Sequence, residues 1–425
     1  MLDLFMKIIG DFHIHGPYAQ ACSKNTTLAL LEKYAKIKGL DVLGTGDCLH
    51  PKWFSQIKSE LREDENGILW SKDKYPFIWQ TEISLMYTHN KKGRRIHHVL
   101  LFPNSEVVTQ VIDLMLKRGR LDYDGRPIFG INSIEFVDMM MSVSNDIEII
   151  PAHAWTSWMS IFGSKSGFDS VEECFEDRSK YIHAIETGMS SNPLMNRRVS
   201  KLDKYNLVSF SDPHTYFPWR LGREATIFDS KMEYKEILSS IRTGKGLAGT
   251  IEVNPSYGKY HVDGHRSCGV VMEPSETKKL NGICPKCRKP LTIGVAYRVE
   301  ELADRNIPKN VPYFVSVIPL TELICAVCNI SQPTSKKVLS VYDKLISTFN
   351  SEFNVLLNVK KEDLLKYVDE KLAEVIMLNR ENKLNIKPGY DGVYGEIVLD
   401  EKQASKNQKI KSYENKQKSL GEFGS

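Results

Sequence analysis

The chain has 425 residues, 26% charged and 41% apolar, a globular composition that excludes collagenous and wholly disordered classes. A length well beyond about 250 residues predicts more than one core. Charge nearly balances, 57 basic against 53 acidic residues for a net +4, which argues against a uniformly basic coat and leaves room for a local basic cleft. The opening Met1-Leu-Asp-Leu-Phe-Met6 carries an acid where an export signal needs a base. Apolar runs stay short of the roughly 18 residues of a membrane span, so a soluble, cytoplasmic protein is expected. The 8 cysteines are too sparse for a disulfide framework, and two Cys-x-x-Cys pairs point to metal instead.

From Lys7 to about Arg242, β-branched runs alternate with helical patterns, the mark of an α/β fold with crossover helices. Strands are predicted at 7–15, 42–44, 77–85, 97–102, 147–152, 182–187, 207–211 and 225–228, a number that suits a closed barrel. A helix over 27–38 puts Leu28, Leu31, Ala35 and Ile37 near one face, with Thr26 as cap and Gly39 as stop. The Gly-, Pro- and Ser-rich stretch from Gly244 to Tyr260 reads as a boundary. It divides a barrel unit at 1–250 from a cysteine module at 256–298 and a mainly helical unit at 299–400. Within 362–380 the residues Leu364, Leu365, Val368, Leu372, Val375 and Ile376 form an apolar stripe that reads as core or interface. Lys387-Pro-Gly-Tyr-Asp-Gly-Val-Tyr-Gly395 reads as a tight turn. The lysine-rich tail from Glu401 holds too few apolar groups to order itself unbound.

The chemical signal is where polar residues fall. His13 and His15 close the first strand, Asp47 follows the second and Glu82 lies on the third. His97 and His98 open the fourth, His153 ends the fifth, and Asp212 and His214 follow the seventh. Strand carboxyl ends share one mouth in α/β barrels, and a His-x-His repeat in extended chain puts both imidazoles on one face. Imidazole with carboxylate suits zinc, manganese or iron, and a carboxylate such as Glu82 can bridge two ions. A second ligand set, His265-x2-Cys268 followed by Cys284-x2-Cys287, has the two-knuckle spacing of a zinc ribbon and predicts one structural zinc. Cys325 and Cys328 sit in an apolar stretch and read as buried thiols.

Cations and aromatics lie beside these positions. Lys91, Lys92, Arg94 and Arg95 occupy a turn before His97, where they either meet DNA phosphate or merely solvate the turn. Arg220 and Arg223 follow Asp212 and are candidates for a phosphate clamp, the alternative being a salt bridge to Glu224 or another acid. Tyr18, Trp155 and Trp158 follow His15 and His153, placed either to stack on a displaced base or to pack the rim.

Asp11-Phe-His-Ile-His15, Gly44-Thr-Gly-Asp47, Thr81-Glu82, Pro151-Ala-His153 and Ser211-Asp-Pro-His214 resemble the PHP superfamily of metal-dependent phosphoesterases. More narrowly, Ile96-His-His-Val-Leu-Leu-Phe-Pro103, Pro151-Ala-His-Ala-Trp155 and Arg220-Leu-Gly-Arg-Glu224, followed by a cysteine module, resemble endonuclease Q along nearly the whole chain. The resemblance implies a distorted (β/α)7 barrel and divalent ions, Zn, Mg or Mn, two in number. It implies a first ion held by His13, His15, Glu82 and Asp212, with Glu82 bridging to a second held by His98 and His153. Asp47 and His214 would serve a third ion or surround the first two, and Glu82, Asp212 and His214 would carry catalysis. The implied reaction cuts DNA on the 5′ side of hypoxanthine, uracil, xanthine or an abasic site. Cys48 after Asp47 departs from the superfamily, where His is common, and His265 departs from endonuclease Q, whose module usually has four cysteines. In the tail, Gln417, Leu420 and Phe423 are similar to the peptide that docks into sliding clamps of the PCNA type. The competing readings are a phosphatase of small phosphate esters on the same barrel and a non-catalytic DNA or clamp adaptor.

Overall fold

A computed structural model describes residues 7–399; Gln417, Leu420 and Phe423 lie outside the described residues. Every strand expected from the sequence is present: Val42–Gly44 and Ala225–Phe228 keep the expected bounds, while Ile8–Asp11, Glu148–Pro151, Ala184–Glu186 and Asn206–Val208 are shorter than expected. The pair Pro76–His89 and Lys92–Phe102 instead extends as a long hairpin past the expected bounds. Runs such as Ile8-Ile9, Val42-Leu43 and Ile149-Ile150 are apolar because both faces of these strands are covered.

Ile8–Asp11 pairs in parallel with Val42–Gly44 and antiparallel with Ala225–Phe228. Val42–Gly44 pairs in parallel with Pro76–His89, whose hairpin partner Lys92–Phe102 takes Glu148–Pro151 on its other edge. These strands belong to one mixed 11-stranded sheet, while Ala184–Glu186 and Asn206–Val208 pair with each other in a separate two-stranded sheet. The fold is thus mixed α/β, but the hydrogen-bonded path among the described residues does not close into the expected (β/α)7 ring.

The first helix, Leu28–Lys38, starts one residue later than expected, because Thr27 rather than Thr26 caps it by accepting from Leu30 N at 3.2 Å. Gly39 ends it at φ 96°. Its last residue reaches the C-terminal unit: buried Lys38 Nζ donates to Glu352 Oε1 and to the Pro218 carbonyl, both at 2.8 Å. The C-terminal unit also extends the sheet, since Phe314–Ser316 pairs in parallel with Leu247–Glu252. The apolar stripe expected at 362–380 is divided between Lys361–Leu364 and Glu370–Arg380, because Asp369 caps the second helix by accepting from Leu372 N at 2.8 Å. Among the described residues no helix is long and apolar enough to cross a membrane.

Candidate metal centre

Beyond Asp11 the chain stays extended, so Phe12 and Ile14 enter the core while His13 and His15 share the opposite side with ring centroids 5.5 Å apart. Three other site residues sit where strands give way to loops with left-handed backbone: Asp47 at φ 43°, His153 at 31° and Asp212 at 44°. Such conformations cost non-glycine residues of order 1–3 kcal/mol each and persist where the surroundings over-determine them. Asp212 is fixed by its N–H donating to the His13 carbonyl at 2.9 Å. Gly125 lies so close to Asp47 that a Cβ there would overlap the carboxylate.

Two groups of donor atoms result, His13, His15, Glu82 and Asp212 in one and Glu82, His97 and His153 in the other, with the atoms of each within 4.8 Å of one another. Glu82 is common to both and divides its oxygens between them. Its Oε2 stands 3.5 Å from His13 Nε2 and 3.3 Å from His15 Nε2, and its Oε1 lies 2.7 Å from His97 Nδ1 and 3.2 Å from His153 Nε2. Asp212 Oδ1 completes the first group, 3.0 Å from His15 Nε2 and 3.7 Å from His13 Nε2.

The outer nitrogens decide which tautomers are available. Glu186 accepts from His13 Nδ1 at 3.0 Å and from the His153 backbone N–H at 2.5 Å. Asp47 accepts from His15 Nδ1 at 2.9 Å and from Gly16 N–H at 2.7 Å. A proton held on Nδ1 leaves the Nε2 lone pair facing inward, the arrangement that orients histidine for a metal. His13 Nε2 is fully buried and has no hydrogen-bond partner, a state that costs free energy unless a cation takes it up. The buried orphan, the shared carboxylate and the imidazole-rich set fit divalent ions.

Electrostatics agree. Burial opposes charge on His13 and His15, yet for His13 the carboxylates of Glu186, Glu82 and Asp212, and for His15 those of Asp47, Asp212 and Glu82, outweigh it and hold both well above the usual histidine value. Burial likewise opposes ionised Glu82, but His97, His13 and Arg126 keep it well below its usual value. Burial of His97 pushes it down to about 4 despite nearby Glu82, so it is neutral near pH 7.

Several expected site residues lie elsewhere or act differently. His98 is not in either donor group. In the hairpin register Ser84 faces His97 and Ile83 faces His98, so the pleat turns His97 to the side of Glu82 and sends His98 into the core, stacked on Phe136 at 5.8 Å. Asp47 spends its oxygens on His15 and Gly16 and is an orienting group, not a ligand of either donor group. His214 is also outside both groups, its ring 4.8 Å from His15 and its Nδ1 3.6 Å from Asp212 Oδ1 at the open side of the site. Trp155 is buried, packs on Phe162 and donates to Asn196 Oδ1 at 2.7 Å, so it cannot stack on a ligand. Arg94 is buried as well, with its guanidinium 3.9 Å above Phe168 and 3.1 Å from Glu173.

Lys91, Lys92 and Arg95 remain exposed in and beside the turn. Arg220 forms an ion pair at 2.6 Å, with Glu322 of the C-terminal unit and not with Glu224, while Arg223 Nε donates to the Ser211 carbonyl at 3.0 Å. Tyr18 is half-buried and stacks on His50 at 4.2 Å; Trp158 is 38% exposed.

Sequence reading missed Glu186 and Arg126. Arg126 Nη1 lies 3.2 Å from Glu82 Oε2, a permanent cation beside the shared carboxylate. Neither belongs to a motif, although Glu186, an acid within the apolar run Ala184-Ile-Glu, was a visible signal. Away from this centre, His265, Cys268, Cys284 and Cys287 also converge within 4.8 Å, with Cys287 Sγ 3.3 Å from His265 Nδ1. A hairpin of Asp263–His265 and Val270–Met272 supplies the first knuckle, and Val270, Cys284 and Leu291 form a small core beneath it. This sulfur-rich set of four suits a closed tetrahedral ion.

Residues 319–383 match the family described as the MJ0043 C-terminal domain. Uncharacterized protein MJ0043 of Methanocaldococcus jannaschii is 32% identical over 308 residues, 70% of this chain, and this chain spans 36% of that protein's length. Uncharacterized protein YqxK of Bacillus subtilis is 28% identical over 414 residues, covering 92% of this chain and 99% of that one. Among solved structures, the lesion-specific endonuclease PfuEndoQ from Pyrococcus furiosus superposes with a TM-score of 0.83 at 31% identity, over 93% of this chain and 96% of that one. The chain belongs to the endonuclease Q family. A second endonuclease Q structure, in complex with a 27-mer duplex substrate that has an abasic lesion at the active site, gives the same TM-score of 0.83 at 32% identity, over 93% of this chain and 98% of that one.

Proposed function

We propose that this chain is a DNA-repair endonuclease that hydrolyses the phosphodiester bond on the 5′ side of deaminated bases (hypoxanthine, uracil or xanthine) and abasic sites. The observation that carries this reading is the shared carboxylate of Glu82, with one oxygen turned to His13 and His15 and the other to His97 and His153. Two donor groups joined in this way suit a pair of divalent ions, Zn, Mg or Mn. When bound, such ions lower the pKa of a coordinated water toward neutrality and offset phosphate charge.

The chain's own residues would then do the following. Glu186 and Asp47 hold the Nδ1 protons of His13 and His15, so that neither ring turns its N–H toward the ions. Arg126 adds a fixed positive charge on the Glu82 side, favourable to a phosphate oxygen. His214, partly exposed beside Asp212, would give a proton to the departing oxygen as the P–O bond breaks. No protein nucleophile is needed.

Support for DNA over a small ester comes from the family. One endonuclease Q structure holds a duplex with its lesion at the active site, and a small-ester phosphatase has little use for the sulfur-rich module or the helical unit. We take the His265, Cys268, Cys284 and Cys287 set as the site of one structural zinc. Gln417, Leu420 and Phe423 fit a segment that docks on a sliding clamp of the PCNA type. Incubating the chain with duplexes containing one uracil, hypoxanthine or abasic site, with and without divalent ions, tests the reading. Hydrolysis confined to small phosphate esters would reject it.

A further inference from the structure

The Gly- and Pro-containing stretch at 387–395 does more than reverse the chain. It forms a hairpin, Ile386–Lys387 against Glu396–Ile397, laid along the segment leading into the cysteine module. Gly389 N–H donates to the Ser256 carbonyl at 2.9 Å, Gly392 N–H to Lys259 at 3.0 Å and Gly395 N–H to Tyr257 at 3.1 Å, while Val262 N–H returns a bond to Gly389 at 3.1 Å. A Cβ at Gly389 or Gly395 would run into the backbone it binds, so this approach requires glycine. Asp391 fixes the tip to the module, accepting from Arg266 N–H at 2.6 Å and from Thr292 Oγ1 at 2.7 Å.

What the hairpin presents is Tyr394, 36% exposed, with Lys259 Nζ 4.7 Å and Arg220 Cζ 5.8 Å from its ring centre. Arg220 stands on the loop that carries Asp212. On the other flank, exposed Trp158 meets Tyr260 edge-on at 5.5 Å. Thr156 ties that flank to the donor groups, since its hydroxyl lies 3.2 Å from His153 Nδ1 and 2.8 Å from the Trp158 carbonyl. Exposed rings thus connect to the two sides of one metal centre. Lys259 has no carboxylate partner among the described residues.

We infer that Trp158, Tyr260 and Tyr394, with Lys259, form a rim that holds one DNA strand of the substrate duplex beside the centre. Bases next to the lesion stack on the rings, and Lys259 meets a backbone phosphate. Every base offers a π-face, so aromatic residues interleaved with cations hold a strand without reading its sequence. Charge selects the occupant: a polyanion neutralises the free ammonium of Lys259, whereas an apolar peptide would leave it buried and unpaired. This inference rests on the nuclease reading but is tested apart from it.

The experiment uses the full chain, stripped of divalent ions at the catalytic centre so that binding is read without cleavage, and an abasic-site duplex with 2-aminopurine beside the lesion. Wild type should quench the probe and bind tightly. Tyr394→Ala should bind about tenfold more weakly with reduced quenching, and Tyr394→Phe should bind and quench as wild type. Lys259→Ala should lower the slope of log affinity against log salt by about 1. Tyr394 is exposed, and unchanged melting temperatures would exclude loss of fold. Tyr394→Ala and Lys259→Ala binding with wild-type affinity and salt dependence would overturn the rim. Wild-type nicking with added ions, scored separately, tests the nuclease reading, so normal nicking with silent variants removes the rim alone.

Discussion

Glu186→Gln removes one charge and almost no volume, and the structure states what should follow. Both carboxylate oxygens lie within reach of His13 Nδ1, at 3.0 and 3.1 Å, and Oε2 also accepts from His153 N–H at 2.5 Å. An amide has one acceptor oxygen, so either His13 Nδ1 or His153 N–H would face an NH2 group. In the first case His13 moves its proton to Nε2 and cannot ligate; in the second the strained His153 turn loosens. Loss of a group that orients a metal-ligating histidine costs about 10–100-fold in affinity or activity, equivalent to about 1.4–2.7 kcal/mol. Competition with a chromophoric chelator gives the affinity, and single-turnover nicking at saturating divalent ion gives the residual chemistry. A Glu186→Gln protein with wild-type affinity and rate would refute the role assigned to Glu186.

Three further outcomes follow from the same geometry. His97→Phe should abolish nicking and weaken binding at one donor group, whereas His98→Phe should keep both, since buried His98 has two unpaired ring nitrogens among aromatic neighbours; equal losses in paired nicking assays would contradict the assignment. His13 and His15 are held above their usual value and are protonated near pH 7 in the metal-free protein, so an ion must displace about two protons. Affinity should therefore rise with pH and fall as acid restores the protons, with His97, at about 4, releasing none near neutrality. Calorimetry in buffers of different ionisation enthalpy counts the protons, and a count of zero would be contrary. Cys284→Ser should lower the zinc content measured by atomic absorption and reduce affinity for DNA, while leaving divalent-ion binding at the Glu82 centre within about twofold of wild type.

Much of this site was readable because its ligands sit at strand ends, where an apolar run stops and a histidine or acid begins. Ala152-His153 and Ser211-Asp212 announce themselves that way, and His13-x-His15 obeys the period of extended chain. The choice between His97 and His98 needed the register of the hairpin. That register was available in principle, because a turn at Asn90-Lys91 sets His89 opposite Lys92 and hence Ser84 opposite His97. Glu186 and Arg126 were harder. Their roles come from folding together segments far apart in sequence, and a single acid or arginine carries no spacing signal. Trp155 and Arg94 misled because following a ligand, or lying in a basic turn, says nothing about the side of the strand or loop a residue takes. The helical unit was legible as helix, but its attachment through the Lys38–Glu352 and Arg220–Glu322 pairs joins residues that no periodicity links.

In the proposed reaction Glu82 joins two ion-binding groups that together cut DNA beside damage. The most direct test is the mapping of nicked ends on a labelled duplex with a single uracil or abasic site, using chelator-treated protein before and after divalent ion is restored. The expected result is one nick on the 5′ side of the lesion, leaving a 3′-hydroxyl and a 5′-phosphate, present only with the ion and absent in Glu82→Ala. A nick that survives chelation, or that Glu82→Ala makes at the wild-type rate, would contradict it.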